Sequence, residues 1–504
     1  MKTTKHYDLF IIGGGINGCG LARDASGRGF KVGLAEMNDL ASGTSSASTK
    51  LIHGGLRYLE YYEFRLVREA LKEREIIWRM APHIVRPLRF ILPYHKKMRP
   101  AWMLRFGLFI YDYLGDWNQK LWRSKTVNFS RNFKNTLKKK YHKGFEYSDA
   151  RVDDARLVIA NARDAQKLGA DIKVRTEVLF LKRKEKKWFV TLRDKLTGKE
   201  YCITASYIVN MTGPWINHVL TNLLDCKEYS PVRLVRGSHI IVPKLYIHDR
   251  AYIFQNGDGR IIFSIPYQEE FTLLGTTDCG YQGDPANVHI TDAEIDYICA
   301  AASEYFIQPV LRENIVWAYS GVRPLYDDGA TKIQKITRDY VLKEMGEEDE
   351  PRVLNLYGGK ITIYRKLAED VMKFVEKTLG RKGSPWTAHS TLPGGDFPYN
   401  KLDVIENEIA LLISGLDTFT HRRLARSYGS EALVIFENGK ADKGQNFGHG
   451  LYEIEVQWLM KNEWAKTCED VLWRRSKLGL LFSQEEVDVL AAYMQSKKET
   501  GQTL

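Results

Sequence analysis

Three glycines near the amino terminus have the spacing of a phosphate-binding turn. Gly13, Gly15 and Gly18 fit the pattern G-x-G-x-x-G and follow the apolar run DLFII, which is typical of a buried parallel strand. The first glycine permits a tight turn, the second admits a pyrophosphate, and the third lets the next helix pack closely. Glu36 ends the next apolar run about 20 residues later, where an acid binds a ribose hydroxyl. The stretch predicts an adenine dinucleotide site and leaves FAD and NAD both open.

Further segments have the composition of cofactor-binding turns. The hydroxyl residues Thr44, Ser45 and Ser46 suit phosphate loops and helix N-caps. The run VLNLYGG predicts a strand and a turn before a helix from about Thr362. The dipole of that helix would suit the electron-rich edge of a reduced flavin. The hexapeptide NMTGPW, residues 210–215, ends another predicted strand beside the cofactor.

Two histidines stand beside small residues, where a ligand can approach. His53 lies in LIHGGL, and His239 lies in RGSHII. Histidine has the ordinary pKa that a general base needs near neutrality. Most single histidines are structural, so the local pattern alone leaves their role open.

Charge and composition limit the classes of partner. The chain has 504 residues, enough for two or three domains, and a net charge of +12. A basic chain suits a phosphate substrate, an acidic lipid surface or nucleic acid. The six cysteines lack C-x-x-C or zinc spacing, which indicates reduced thiols in a cytosolic protein and no metal site. The sequence has no signal peptide pattern and no apolar run of about 18 residues, so any membrane contact should be peripheral.

Basic and aromatic residues interleave over residues 90–125. This mixture favours a helix that lies in a membrane interface, although a core helix with a solvated basic face stays open. Nucleic acid is a weaker interpretation, because no recognised binding motif accompanies the charge. The residues concerned are His95, Lys96, Lys97, Arg99 and Arg105, with Trp102, Phe106, Phe109, Tyr111 and Trp117.

The chain as a whole resembles the FAD-dependent glycerol-3-phosphate dehydrogenases of the bacterial respiratory type. The resemblance spans nearly the whole sequence, and the set of motifs is specific although each motif alone is weak. The motifs are IIGGGINGCG, GTSSASTKLIHGGLRYLE, APH, YSDARVDDARL, NMTGPW, VRGSHIIVP, LGTTD, YSGVRPL, ITRDY, LYGGKITIYRKLAE and DVLWRRSKLGL.

The resemblance implies an α/β flavoprotein fold with a Rossmann-type FAD domain of the D-amino-acid oxidase and glycine oxidase type. We expect a discontinuous FAD-binding domain over 1–80, 147–225 and 316–390. An antiparallel-sheet substrate domain should cover 81–146 and 226–315. A C-terminal helical cap domain should follow over 391–504.

The implied reaction is oxidation of sn-glycerol 3-phosphate to dihydroxyacetone phosphate by hydride transfer to non-covalently bound FAD. The implied electron acceptor is membrane quinone. The expected location is cytoplasmic, with peripheral attachment to the inner face of the membrane through acidic lipid. No nucleic-acid partner is expected, and a homodimer is one option for the oligomeric state.

The resemblance also implies roles for individual residues. Arg57, Tyr58, Arg323 and Arg338 should bind substrate, because the guanidinium fork matches phosphate oxygens. The expected catalytic residues are His53, His239, Lys360 and Arg323, with the general base open between the histidines. The expected FAD ligands are Gly13, Gly14, Gly15, Asn17, Gly18, Glu36, Met37, Thr44, Ser45, Ser46, Gly213, Gly358, Gly359, Lys360 and Thr362.

Other functions fit parts of the same pattern. An oxidase would act on the same substrate with oxygen as acceptor. A flavin amino-acid oxidase would need one carboxylate-binding arginine and no basic cluster. A flavin-containing tRNA-modifying protein would bind RNA with steep salt dependence. A non-catalytic membrane-binding protein would keep FAD that no small alcohol reduces.

Overall fold

The computed structural model describes residues 5–96, 98–115, 120–129, 133, 136–226, 232–327 and 339–499. Its strands form two sheets. In chain order they are β1 (His6–Ile12), β2 (Val32–Glu36), β3 (Leu51–Ile52), β4 (Val85–Pro93), β5 (Lys125–Asn128), β6 (Lys143–Val152), β7 (Asp171–Val174), β8 (Thr176–Lys184), β9 (Lys187–Asp194), β10 (Glu200–Asn210), β11 (Val232–Pro243), β12 (Ala251–Gln255), β13 (Ile261–Tyr267), β14 (Phe271–Gly275), β15 (Cys279–Gly280), β16 (Trp317–Tyr326), β17 (Val341–Met345) and β18 (Val353–Tyr357).

Several helix starts follow from local capping. The Asp153 side chain accepts a hydrogen bond from the Arg156 backbone N–H, and Thr291 with Glu294 forms a capping box. The main helices are α1 (Ile16–Gly27), α2 (Phe64–Met80), α3 (Ala101–Leu114), α4 (Asp154–Lys167), α5 (Asp292–Tyr305), α6 (Tyr364–Leu379), α7 (Leu402–Leu412), α8 (Thr418–Tyr428), α9 (Glu431–Ile435), α10 (Glu453–Asn462) and α11 (Gln484–Glu499).

The first sheet contains the glycine motif. Its parallel strands lie in the order β18–β10–β1–β2–β7, and β17 and the β8–β9 hairpin add antiparallel strands. Apolar residues cover both faces, which explains the continuous apolar runs in β1 and β10. On one face α1 contacts α4 and α6. The carboxyl ends of β1, β2, β10 and β18 therefore meet at one edge of this sheet.

The second sheet is mainly antiparallel and contains the other predicted site residues. Its order is β15–β11–β14–β13–β12–β4–β6–β3, with β16 also on β11 and β5 on β6. Only the β12–β4 pair among the described strand pairs of this sheet is parallel. The register of β11 and β16 sets His239 opposite Tyr319 and Val235 opposite Arg323. Two neighbouring strands thus bring a histidine and an arginine to the same region.

The region after Gly395 is helical. Helices α7 to α11 enclose a separate apolar core that includes Ile409, Leu424, Leu459 and Leu490. The structure therefore confirms the predicted fold class: a Rossmann-type domain, a largely antiparallel sheet and a C-terminal helical domain.

The exact domain boundaries stay a prediction, and two strands lie across them. The prediction assigned residues 147–225 and 316–390 to the FAD-binding domain. Strand β6 pairs with β4 as far as Val152, and β16 pairs with β11 as far as Tyr326. Both strands belong to the second sheet, so they connect the two predicted domains.

Candidate cofactor and substrate site

The glycine motif forms a tight turn between β1 and α1. Gly13 has φ +112°, and a Cβ on it would lie 2.6 Å from the carbonyl oxygen of Met211. A Cβ on Gly18 would lie 1.9 Å from the Gly13 carbonyl oxygen. Gly15 is the N-cap of α1, so the N-terminus of that helix faces the turn. This is the arrangement that binds a pyrophosphate at a helix N-terminus.

Glu36, at the end of β2, is hydrogen-bonded to the backbone of the glycine turn. Its carboxylate accepts hydrogen bonds from the backbone N–H groups of Gly14 and Asn38, both at 2.8 Å. Burial raises the pKa of Glu36, and the two hydrogen bonds act in the opposite direction. Each oxygen keeps a lone pair, and Glu36 lines the adjoining cavity. A ribose hydroxyl could donate to such a carboxylate.

The predicted hydroxyl residues lie in one turn but make different contacts. Ser45 Oγ accepts a hydrogen bond from the Ile16 N–H at 3.0 Å, in the first turn of α1. Thr44 Oγ1 donates to the carbonyl of Val322 in β16 at 2.6 Å, which connects the turn to the second sheet. Ser46 Oγ donates to the Gly43 carbonyl at 3.4 Å.

A cavity of about 1390 Å³ brings most of the predicted residues together. Strands of both sheets and the turns that follow them form most of its wall, and the C-terminal domain contributes Glu469, Trp473, Arg474 and Lys477. Gly14, Gly18 and Arg57 are absent from the described lining, and Arg338 lies outside the described residues. The predicted residues that line the cavity are Gly13, Gly15, Asn17, Glu36, Met37, Thr44, Ser45, Ser46, His53, Tyr58, Gly213, His239, Arg323, Gly358, Gly359, Lys360 and Thr362.

A second helical N-terminus lies near the first, since a Cβ on Gly359 would lie 2.7 Å from Asn17 Nδ2. After β18, residues Ile361–Ile363 form a short helical turn that leads directly into α6. Thr362 Oγ1 accepts a hydrogen bond from the His53 N–H at 3.3 Å, and Lys360 Nζ lies 4.2 Å from the Tyr58 ring centroid. Asn17 Oδ1 is buried and has no hydrogen-bond partner among the described residues. An unpaired buried acceptor at this junction fits a ligand that donates a hydrogen bond there.

His239 is a buried histidine held in a fixed orientation. Its ring stacks on Tyr319 at 4.9 Å, and its Nε2 shares a hydrogen bond with Thr49 Oγ1 at 3.0 Å. Its Nδ1 has no partner among the described residues. Burial, followed by the charges of Lys50 and Arg323, holds the pKa of His239 well below its ordinary value. The ring is therefore neutral at pH 7, and in the free protein it is a weak base.

Arg323 is already paired with an acid at the cavity wall. Its Nη2 donates to Asp278 Oδ1 at 2.5 Å and to the Thr277 carbonyl at 3.1 Å. Its side chain is 31% exposed. Sequence reasoning missed Asp278, although it stands in the motif LGTTD that carried part of the resemblance.

Arg57 is bound to a turn that is absent from the described cavity lining. Its Nη2 donates to the Gly259 carbonyl at 2.7 Å, in the turn between β12 and β13. A role for Arg57 as a substrate ligand stays a prediction, and it would require the side chain to leave that turn.

A buried ion pair beneath the site was also missed. Lys50 Nζ donates to both oxygens of Asp154, at 2.9 and 2.7 Å, and it lies 4.9 Å from the Tyr319 ring centroid. Burial lowers the pKa of Lys50. This pair connects the phosphate-type turn to the start of α4, and no local pattern indicated it.

The residues present fit an adenine dinucleotide. The glycine turn leaves room that a side chain would fill, the α1 N-terminus suits phosphate, and Glu36 suits ribose. Among the described residues no cluster of three or more histidine, cysteine, aspartate or glutamate side chains is suited to a metal ion.

Comparisons with known proteins agree with this geometry. The family described as "FAD dependent oxidoreductase" matches residues 8–359, and "C-terminal domain of alpha-glycerophosphate oxidase" matches residues 385–500. A solved structure of glycerol-3-phosphate dehydrogenase from Bacillus halodurans complexed with FAD is 29% identical, with a TM-score of 0.78. It covers 99% of this chain and 92% of that chain.

Three relatives match over almost their whole length. A glycerol-3-phosphate dehydrogenase from Pseudomonas aeruginosa is 47% identical over 97% of this chain and 95% of its own. An aerobic glycerol-3-phosphate dehydrogenase from Escherichia coli strain K12 is 44% identical over 95% of both chains. A D-erythritol 1-phosphate dehydrogenase from Brucella abortus is 45% identical over 96% of this chain and 97% of its own.

Proposed function

The chain belongs to the glycerol-3-phosphate dehydrogenase family of FAD-dependent oxidoreductases, and on that premise we propose that it oxidises sn-glycerol 3-phosphate to dihydroxyacetone phosphate. The observation that carries the proposal is the shared cavity. There the glycine turn, a neutral buried histidine and the cations Arg323 and Lys360 lie on one surface. This combination can hold a phosphate monoester and accept the proton of its hydroxyl group.

The glycine turn, the α1 N-terminus and Glu36 would hold the ADP part of FAD, and Gly213 with the Gly358–Thr362 turn would border the flavin. When bound, FAD supplies the hydride acceptor for oxidation of an alcohol. The N-terminus that leads into α6 would stabilise negative charge next to the turn.

The substrate's phosphate would lie near Arg323 and Lys360. A guanidinium gives two parallel hydrogen bonds to phosphate oxygens, and Lys360 adds a point charge. The resemblance adds Arg57, Tyr58 and Arg338 as further substrate ligands. His239 or His53 would take the hydroxyl proton; His239 lines the cavity with a neutral ring, and its buried Nδ1 would have to become accessible for this step.

Electrons would pass to membrane quinone, and α3 would bring the protein to the membrane. Trp102, Phe106 and Phe109 recur at helical spacing and are 70%, 58% and 47% exposed. Within the described ranges no helix is long and apolar enough to cross a membrane. An exposed aromatic helix face suits a position in the interface of the bilayer, on its cytoplasmic side.

The basic residues of this segment would contribute unequally to membrane binding. Arg105 donates to Ser124 Oγ at 2.7 Å, so its guanidinium is bound within the protein instead of pointing freely into solvent. Arg99 is half-exposed and lies 3.8 Å from Glu60. Lys97 and Trp117 lie outside the described residues. We therefore expect the aromatic residues to contribute more to binding than the prediction from charge implied.

Oxidation of D-erythritol 1-phosphate is the second candidate function. A relative of that name is as similar to this chain as the glycerol-3-phosphate dehydrogenases are. Both substrates carry a phosphate and a hydroxyl group, so the same histidine and arginine would serve either. The longer polyol needs additional room beyond the reacting carbon.

Anaerobic flavin reduction tests the proposal. The purified protein should show a flavin absorption band that sn-glycerol 3-phosphate bleaches rapidly, while glycerol and glycine leave it unchanged. Faster bleaching by D-erythritol 1-phosphate would select the second candidate. A band that neither phosphate bleaches would contradict both, and oxidation of reduced flavin faster by oxygen than by a quinone would favour an oxidase.

Liposome flotation tests the membrane surface. Replacing Trp102, Phe106 and Phe109 with serine should move the protein from acidic vesicles to the unbound fraction, with flavin reduction retained. The matched control replaces Leu411 and Val434, which are 83% and 62% exposed on the C-terminal domain, with serine. Equal flotation of both variants and the wild type would refute α3 as the membrane contact.

A further inference from the structure

The motif DVLWRRSK, residues 470–477, lies in the C-terminal domain and makes polar contacts both within that domain and with the cofactor-binding domain. We call these eight residues the RR segment. It is buried at Asp470, Arg475, Ser476 and Lys477. Its side chains reach three separate parts of the molecule, and one of them is the turn that follows Glu36.

The Asp39 carboxylate forms ion pairs with two arginines of the RR segment. Arg474 Nε lies 2.5 Å from Asp39 Oδ2, and Arg475 contacts both carboxylate oxygens, with Nη2 to Oδ1 at 2.9 Å. Asp39 is 1% exposed, and the Arg475 side chain is fully buried. The pair is thus a bidentate, water-excluded contact between the two domains.

A second contact connects the RR segment with the same turn through Arg175. Arg175 Nη2 donates to both oxygens of Asp470 at 2.9 Å, while the Arg175 backbone N–H donates to the Asn38 carbonyl at 3.0 Å. Asp470 also pairs with Arg474 within the segment. The RR segment therefore holds the neighbouring residues Asn38 and Asp39 through two contacts of one ion-pair network.

The turn that it holds is part of the cofactor site. Residues 36–38 and 41–43 line the cavity. The Asn38 N–H donates to Glu36 Oε1, and the Ala41 N–H donates to the Gly14 carbonyl at 3.2 Å. Displacement of Asp39 would consequently move the Glu36 carboxylate and the glycine turn, which are the groups expected to hold ribose and pyrophosphate.

Side chains of the RR segment also line the cavity itself. Trp473 lines it and stacks on Trp317 of β16 at 4.3 Å, and Lys477 Nζ lies 3.6 Å from Asp153 at the start of α4. The segment thus touches the cofactor turn, the second sheet and α4 together.

We propose that the RR segment positions the FAD site, so that FAD affinity depends on the docking of the C-terminal domain through Asp39. Burying several charges at one interface is costly and is weak evidence for added stability. The charged residues at this interface would instead serve to hold the ribose-binding turn in a fixed position. Because coupling between two equilibria is reciprocal, FAD binding must also strengthen the docking of the segment.

The first test compares two buried carboxylates, each of which forms a bidentate contact with an arginine. Asp39→Asn weakens the contact with the cofactor turn, and Glu455→Gln weakens the buried pair with Arg423 inside the C-terminal domain. Both changes keep the size of the side chain. Titration of the apoprotein with FAD should give a Kd about tenfold higher for Asp39→Asn, within the usual range of such coupling, and an unchanged Kd for Glu455→Gln.

A Kd for Asp39→Asn equal to that of the wild type, or an equal rise for Glu455→Gln, would overturn the proposal. The inference rests on FAD as the cofactor. A wild-type apoprotein that binds no FAD would refute that assignment and the inference together, whereas normal wild-type binding with an unchanged variant refutes only the inference.

Hydrogen exchange on the wild type gives a test that does not depend on a variant folding. Adding FAD to the apoprotein should slow exchange in peptides covering 466–480 more than in peptides of α8, which lies in the same domain. Equal protection of both regions would show that FAD stabilises the domain without the RR segment and would refute the proposal.

Discussion

Replacement of Arg323 tests whether the cavity recognises a phosphate. In Arg323→Gln the substrate loses a charge-assisted contact, which is worth about 1.5–3 kcal/mol. The change also leaves Asp278 without the guanidinium that lies 2.5 Å from it, at the wall of the same cavity. Repulsion between that carboxylate and the phosphate would add on the order of 1 kcal/mol after screening.

These contributions together predict a large and selective effect. A loss of about 3 kcal/mol corresponds to roughly a hundredfold rise in KM for sn-glycerol 3-phosphate. Glycerol lacks the phosphate, so its weak turnover should change by less than about threefold under the same argument. The measurement is anaerobic stopped-flow reduction of the flavin over a range of each alcohol.

Replacement of Asp278 provides the control. Asp278→Asn alone keeps Arg323 and should leave KM near the wild-type value or below it. The double variant should recover about fivefold of the loss in KM, because it removes the negative charge that Arg323 no longer offsets. An equal effect of Arg323→Gln on phosphate and glycerol, or no recovery in the double variant, would refute the phosphate role.

Three further predictions concern the cofactor turn, acid stability and proton removal. Gly18→Ala would place a Cβ 1.9 Å from the Gly13 carbonyl oxygen, so FAD binding should be lost in an apoprotein titration. Gly257→Ala, where a Cβ meets nothing within 4 Å and φ is not positive, should bind FAD normally. Burial, aided by the charges of Arg156 and Arg163, lowers the pKa of His83 to about 3. Between pH 7 and pH 5 this histidine therefore becomes protonated only in the unfolded chain, and the free energy of unfolding should fall by about 2 kcal/mol. Urea unfolding of His83→Gln should lack that part of the pH dependence, and the same pH slope as the wild type would contradict it. Bound phosphate should raise the pKa of His239, so as the pH is lowered the limiting rate of flavin reduction should begin to fall at a higher pH than kcat/KM does. A pH profile that His239→Asn leaves unchanged would exclude His239 as the base.

The sequence predicted the parts of the site that depend on local pattern. The glycine turn, Glu36 and the helix after Gly359 each follow from a few consecutive residues, and their geometry is set by the ends of parallel strands. The same reasoning could not place Asp278 or Asp154. Their roles depend on partners about 45 and 104 residues away, and only sheet register and helix packing bring them together.

The basic segment shows a different limit of sequence reasoning. A mixture of arginine and aromatic residues indicates an interfacial helix but does not say which charges stay in solvent. In the structure α3 covers only Ala101–Leu114, and Arg105 folds back to Ser124. Arg57 is similar, because its contact with Gly259 depends on a turn about 200 residues away.

The charges around His239 connect substrate binding to proton removal. In the free protein, burial and the cations Lys50 and Arg323 keep the pKa of His239 low, so the ring is neutral but weakly basic. A phosphate dianion beside Arg323 would offset part of that positive potential and raise the pKa of the ring. The histidine would then become a stronger base only when the substrate is in place. The cavity would thereby favour oxidation of a phosphorylated alcohol over an unphosphorylated one in the chemical step as well as in binding.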